Sequence, residues 1–160
     1  MPKWQMERVM KQEFGSDWRN LFETFDDNPI AAASIGQVHQ ATIKSNVTSS
    51  SSSNSSNVVK VAVKIQYPGV AESINSDLDS LKSLLLLGDL IPKGLFLENV
   101  ISVAKRELSW EVDYEREAKC TAKFRELLQI DSIFVVPQVF NHLSTKKVIT
   151  TEWMDGIPIK

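Results

Sequence analysis

The chain of 160 residues has one cysteine, Cys120, and two histidines, His39 and His142. A single cysteine excludes an intrachain disulfide framework, and it suits a reducing compartment. Two histidines and one cysteine, far apart in the sequence, give no zinc-ligand spacing. The longest apolar runs, such as Leu84–Leu87, fall far short of a membrane span. Excess charge of either sign is missing too. The formal net charge is −2, with Lys and Arg interleaved among Asp and Glu, so no basic face is set out for nucleic acid or anionic lipid. The first residues, MPKWQMERVMKQEF, carry acids and no long apolar stretch. They read neither as a secretory signal nor as a transit peptide.

An apolar fraction of 42%, with four tryptophans and seven phenylalanines, is enough for one globular core. Trp4 to Phe25 has helical periodicity, with Trp4, Val9, Phe14, Trp18, Leu21, Phe22 and Phe25 as its apolar positions. Gly15-Ser16-Asp17 splits it into two short helices, the second capped by Ser16 or Asp17. Ile30 to Ile43 reads as strand, small-residue turn, strand. Residues 45–57 are almost all Ser and Asn, with nothing to bury, so they read as a disordered insertion between two strands. Val58 to Ile65 is a valine-rich strand. Val70 to Leu90 reads as a helix, and Glu98 to Leu128 as one long helix. Phe134 to Phe140 and Lys147 to Trp153 complete the strands, with Pro137 marking an edge or bulge. The outcome is an α+β fold: a small antiparallel meander with helices on it.

Three segments of this pattern carry chemistry. Ala31-Ala32-Ala33-Ser34 forms a small-residue bend followed by Gln37. Backbone N–H groups in such a bend can cradle phosphates, while Ser34 and Gln37 add a hydroxyl and an amide. A close-packed turn with no ligand fits the same residues. Lys64 stands inside the valine strand, where it can either snorkel to water or pair with phosphate and a helix acid. Taken as one helix, residues 98–128 put Ile101, Ala104, Leu108 and Val112 on one face. Trp110, Asp113, Glu117, Phe124 and Leu128 fall on the other, so Glu117 needs a cationic partner. Glu111 lies about 120° around from Glu117 and needs a different one. His39 reads as structural, and Cys120 as an inert thiol on the helix surface.

The ordered motifs MPKWQMERVM, FDDNPIAAASIGQVHQA, VAVKIQYPGV, INSDLDSL, LIPKGLFLENVI and ELSWEVDYEREA resemble the UbiB family of atypical, protein-kinase-like proteins. The likeness is greatest to its mitochondrial members that support coenzyme Q biosynthesis. It spans nearly the whole chain except the Ser/Asn insertion. The resemblance implies a protein-kinase-like N-lobe over residues 1–160, with a long C-type helix and family-specific helices. It implies that Ala31–Ser34 is the alanine-rich loop replacing a kinase glycine-rich loop. Lys64 would be the nucleotide-pairing lysine, Glu117 its helix partner, and Glu111 and Asp113 a Glu-x-Asp motif.

The implied ligands are ATP or ADP, with Mg in the full-length parent. The implied partners are coenzyme Q biosynthesis enzymes and inner-membrane lipid, on the matrix side of the mitochondrial inner membrane. The family's Lys-x-Gly-Gln helix, its catalytic loop and its metal-binding segment have no counterpart in these residues. The expected function is therefore an atypical kinase or ATPase lobe that is inactive alone. Two alternatives stay open at this point. One is a regulatory or scaffold piece that binds coenzyme Q pathway proteins. The other is an α+β domain in which the lysine–glutamate pair only holds the fold.

Overall fold

The computed structural model describes residues 1–44, 58–87 and 96–157. Helix α1 (Lys3–Phe14) forms because Met6, Val9 and Met10 recur at helical spacing, and all three are buried. Gly15 ends it at φ 89°, a left-handed conformation open to glycine, and its N–H closes on the Lys11 carbonyl. A single 3₁₀ turn, Trp18–Leu21, stands where a second helix is predicted, and neither Ser16 nor Asp17 caps it through a side chain. Trp18 and Phe22 are buried as expected, while Trp4 and Leu21 face solvent. The two buried methionines supply core that the aromatic pattern alone does not reveal.

Five strands follow: β1 (Thr24–Phe25), β2 (Ala31–Ala32), β3 (Gly36–Lys44), β4 (Val58–Gln66) and β5 (Val148–Glu152). They form one antiparallel sheet in the order β1-β3-β4-β5, with β2 also paired to β3. The β3–β4 register runs from Gly36 opposite Gln66 to Lys44 opposite Val58. The predicted Ser/Asn insertion at 45–57 lies outside the described residues. Alternation assigns the faces. Ala41, Ile43, Val61, Val63, Ile65 and Val148 pack with α1, Trp18 and Phe22 in the main core. Val38, Lys64 and Ile149, aligned across three strands, point to the opposite face.

Phe134 to Phe140, predicted as a strand, pairs only at an isolated bridge between Val139 and Thr151. Pro137 has no N–H to donate, and the Val136 carbonyl accepts from Arg125 rather than from a neighbouring strand.

Helix α2 (Val70–Leu87) pairs with α3 (Leu97–Glu111), and α4 (Tyr114–Leu128) crosses the sheet face that bears Lys64. The end of the first predicted helix, at 88–90, lies outside the described residues. The single helix predicted from Glu98 to Leu128 is two. Asp113 breaks it by becoming the N-cap of α4, its Oδ1 accepting from the Arg116 N–H at 3.0 Å. Gln66 reaches from β4 to donate to the Val112 carbonyl at 2.8 Å, which satisfies an acceptor freed by the break. A continuous helical wheel through 98–128 therefore misassigns faces. Phe124, placed on a covered face by that wheel, is 59% exposed.

Candidate nucleotide-binding face

Lys64 projects from β4 toward α4. Its Nζ donates to both Glu117 carboxylate oxygens, at 2.9 and 3.1 Å. The ammonium also sits 4.6 Å from the centre of the Tyr114 ring. Glu117 and Tyr114 occupy the first turn of α4, three residues apart and therefore on one side of the helix. The pair is partly open to water, with the lysine side chain 26% and the glutamate 40% exposed.

The small-residue bend lies beside this pair. Ala31 and Ala32 pair with Val38 and Gln37, and the Ala33 N–H closes the turn on the Gly36 carbonyl at 2.8 Å. Ala31, Ala32, Ala33 and Ser34 are all exposed. Ser34 Oγ donates to Glu111 Oε1 at 3.0 Å, which gives Glu111 a partner distinct from that of Glu117. Gly36 lets the turn lie against β4. A Cβ there would stand 2.5 Å from the Ile65 carbonyl oxygen and 3.0 Å from the Tyr114 hydroxyl. Tyr114 is fully buried, and its hydroxyl has no hydrogen-bond partner among the described residues. Burial, reinforced by the charges of Glu117 and Glu111, pushes this phenol well above its ordinary pKa.

Gln37 is not with Lys64. It lies opposite Ile65 in the register and so points to the main-core side of the sheet. There it is 2% exposed, its amide donating to His39 Nε2 at 2.6 Å and its oxygen accepting from the Met1 amino group. The expected amide contribution at the bend is thus lost, because period-2 alternation sends it through the sheet. His39 is structural, as expected. It stacks on Phe25, and because the Asp26 carbonyl can only accept, its Nδ1 carries the proton.

Glu111 and Asp113 diverge as well. Glu111 borders an open groove of about 580 Å³ shared with Trp110, Glu117 and Phe124. Asp113 caps α4 and borders a second groove of about 550 Å³ with Gln66, Glu72 and Lys146. Cys120 is exposed in the first groove. Among the described residues, no three His, Cys, Asp or Glu side chains converge as a metal site. No described helix is long and apolar enough to cross a membrane.

Three residues of this face escape sequence reasoning. Gly36 follows the bend, Tyr114 precedes Glu117 by one helical turn, and Gln66 lies two residues after Lys64 on the same strand face. Spacing alone could have found the last two.

A lysine–glutamate pair joining a central strand to a helix, beneath a tight small-residue turn, is kinase-like in arrangement. Residues 1–160 match the ABC1 atypical kinase-like domain. The chain belongs to the ABC1 atypical kinase-like family. It is 47% identical over 159 residues to the mitochondrial atypical kinase COQ8B of Danio rerio, covering 99% of this chain and 24% of that protein. It is 50% identical to the mitochondrial atypical kinase coq-8 of Caenorhabditis elegans, covering 99% and 20%. The mitochondrial COQ8 of Saccharomyces cerevisiae is 48% identical, with 99% and 29% covered. The chain thus spans between a fifth and a third of the length of these curated relatives. A solved structure of the Rv3197–erythromycin complex from Mycobacterium tuberculosis matches with a TM-score of 0.74 and 33% identity, over 99% of this chain and 37% of that one. These matches agree with the UbiB resemblance of the motifs and with an α+β, kinase-N-lobe architecture. Family resemblance groups the chain with mitochondrial proteins, and a kinase-like family implies a nucleotide as ligand.

Proposed function

We propose that this chain is the nucleotide-clamping lobe of an atypical kinase or ATPase acting in coenzyme Q biosynthesis, with ATP or ADP as ligand. The observation that carries the reading is the two-pronged Lys64–Glu117 pair beneath the Ala31–Ser34 bend. Glu117 holds the ammonium in place, and its partial exposure leaves an N–H direction open to a phosphate oxygen. Ser34 would turn its hydroxyl from Glu111 to the same anion, and N–H groups of the exposed bend other than that of Ala33, which the Gly36 carbonyl holds, would add to it. Val38 and Ala62, half-buried on the Lys64 face, form a small apolar shelf beside the charge. The donor set of this face therefore fits the phosphates of a nucleotide. The bound nucleotide would supply the transferable phosphoryl group. These residues would bind and orient it.

Mg²⁺ is another matter. Among the described residues no three His, Cys, Asp or Glu side chains converge, and Mg²⁺ with a nucleotide would need only one or two carboxylates beside the phosphates. Glu111 and Asp113, the Glu-x-Asp motif, flank the clamp without touching Lys64. Partnership with coenzyme Q biosynthesis enzymes and inner-membrane lipid belongs to the same proposal and rests on the family alone.

A non-catalytic scaffold role, in which the Lys64–Glu117 pair only ties the sheet to α4, is the second reading. Titration with a fluorescent ADP or ATP analogue tests the two readings. Weak, saturable binding abolished by Lys64→Met, with no ATP hydrolysis above background, is expected. Absence of binding, or binding indifferent to Lys64→Met, would overturn the clamp and leave the scaffold.

A further inference from the structure

The turn at residues 33–36 is held from two sides. Outside, Ser34 Oγ donates to Glu111 Oε1 at 3.0 Å. Inside, the Tyr114 hydroxyl lies against Gly36, where an added Cβ would be 3.0 Å away, yet it has no partner among the described residues. Glu111 ends α3 and Tyr114 opens α4, so both groups sit at the same helix break. Gln66 fixes that break to β4 through the Val112 carbonyl.

A carboxylate oxygen and a phosphate oxygen are the same kind of acceptor for a serine hydroxyl. Glu111 therefore occupies the donor that a phosphate at this bend would use.

We infer that Glu111 is a latch on the phosphate-facing turn: it holds the Ser34 hydroxyl in a bond that competes with phosphate. Glu111 is on this account a positioning residue. The ligand in this statement rests on the proposed nucleotide reading, whereas the latch is a property of the chain without nucleotide.

The latch is tested first in the 160-residue chain without ligand, by hydrogen exchange at the Ala33 amide that closes the turn. Ser34→Ala and Glu111→Ala should each speed exchange by roughly threefold to tenfold, the range of one modest hydrogen bond. The double variant should be no faster than either single one, because both remove the same bond. Additive single effects, or unchanged exchange in either single variant, would overturn the latch.

A fluorescent ADP analogue then tests the competition. Glu111→Ala should tighten binding by roughly threefold to tenfold in the parent chain, and much less in the Ser34→Ala background. An equal gain in both backgrounds would assign the effect to charge repulsion and overturn the competition. The expected exchange pattern without any nucleotide binding would uphold the latch and overturn the nucleotide reading alone.

Discussion

Lys64 and Glu117, 53 residues apart in the chain, meet through two hydrogen bonds of 2.9 and 3.1 Å that tie the centre of the sheet to α4. Their exposures of 26% and 40% decide what the pair contributes. A fully buried pair broken on one side costs about 3–5 kcal/mol. A partly solvated one contributes about 1 kcal/mol or less. Lys64→Met and Glu117→Gln should therefore lower stability by no more than about 1 kcal/mol. Chemical denaturation checks this, and a loss above about 3 kcal/mol would mean that the pair is a principal support of the fold.

Gly36 makes a sharper stability prediction. Its missing side chain lets the turn lie on β4, with room for no Cβ beside the Ile65 carbonyl. Gly36→Ala must push the β3 and β4 backbones apart or shift Tyr114, at a cost of roughly 1–3 kcal/mol. Gly156→Ala is the control, because nothing lies within 4 Å of that position. An unchanged denaturation midpoint for Gly36→Ala would show that the turn yields freely.

His39 should make stability depend on pH near neutrality. Burial lowers its pKa below the ordinary 6.5, against the opposing pull of the Asp26 carbonyl and the Asp26 and Asp27 charges. The unfolded chain then binds the proton more readily than the folded one, so stability rises with pH across this window. It is full above about 6.5 and is lost as pH falls toward the lowered folded value. The carboxylates of Glu7 and Asp27, held low chiefly by Arg19 and Lys3, act in a separate and more acidic window. Melting temperatures at pH 7.5, 6.5 and 5.5 should decline in the parent chain. His39→Gln should be less stable overall and flatter across that range. An identical slope in the variant would exclude His39 as the source.

The Ser/Asn segment should be dispensable for the sheet. Lys44 and Val58 stand directly opposite each other where it joins the strands, which is the geometry a two-residue hairpin turn requires. Replacing residues 45–57 with Asn-Gly should leave the melting temperature unchanged or slightly raised, because a shorter loop closes at lower entropy cost. A large drop would show that the segment contributes contacts of its own.

Much of the fold was legible because its signals are local. Val9 carries helix-period burial, Trp18 and Phe22 carry aromatic core, the valines of β4 carry strand propensity, and Gly15 punctuates the first helix. The failures also have local causes. A single capping bond from Asp113 outweighs 31 residues of helical periodicity between Glu98 and Leu128. At Val136, an arginine from α4 takes the carbonyl that a strand partner would have used.

By itself, the order of residues determined the α+β composition, the meander, the presence of a strand lysine and a helix acid, and the family. Each rests on periodicity or on a short ordered motif, which a chain carries whether or not it is folded. Only the tertiary structure decided which groups meet. It turned Gln37 through the sheet and away from Lys64, gave Glu111 to Ser34 and Asp113 to a helix end, and set beneath Gly36 a Tyr114 hydroxyl with no partner among the described residues. Those outcomes depend on strand register and on the angle of one helix break. Both are fixed by burial and by hydrogen bonds between segments far apart in sequence, as between Gln66 and Val112.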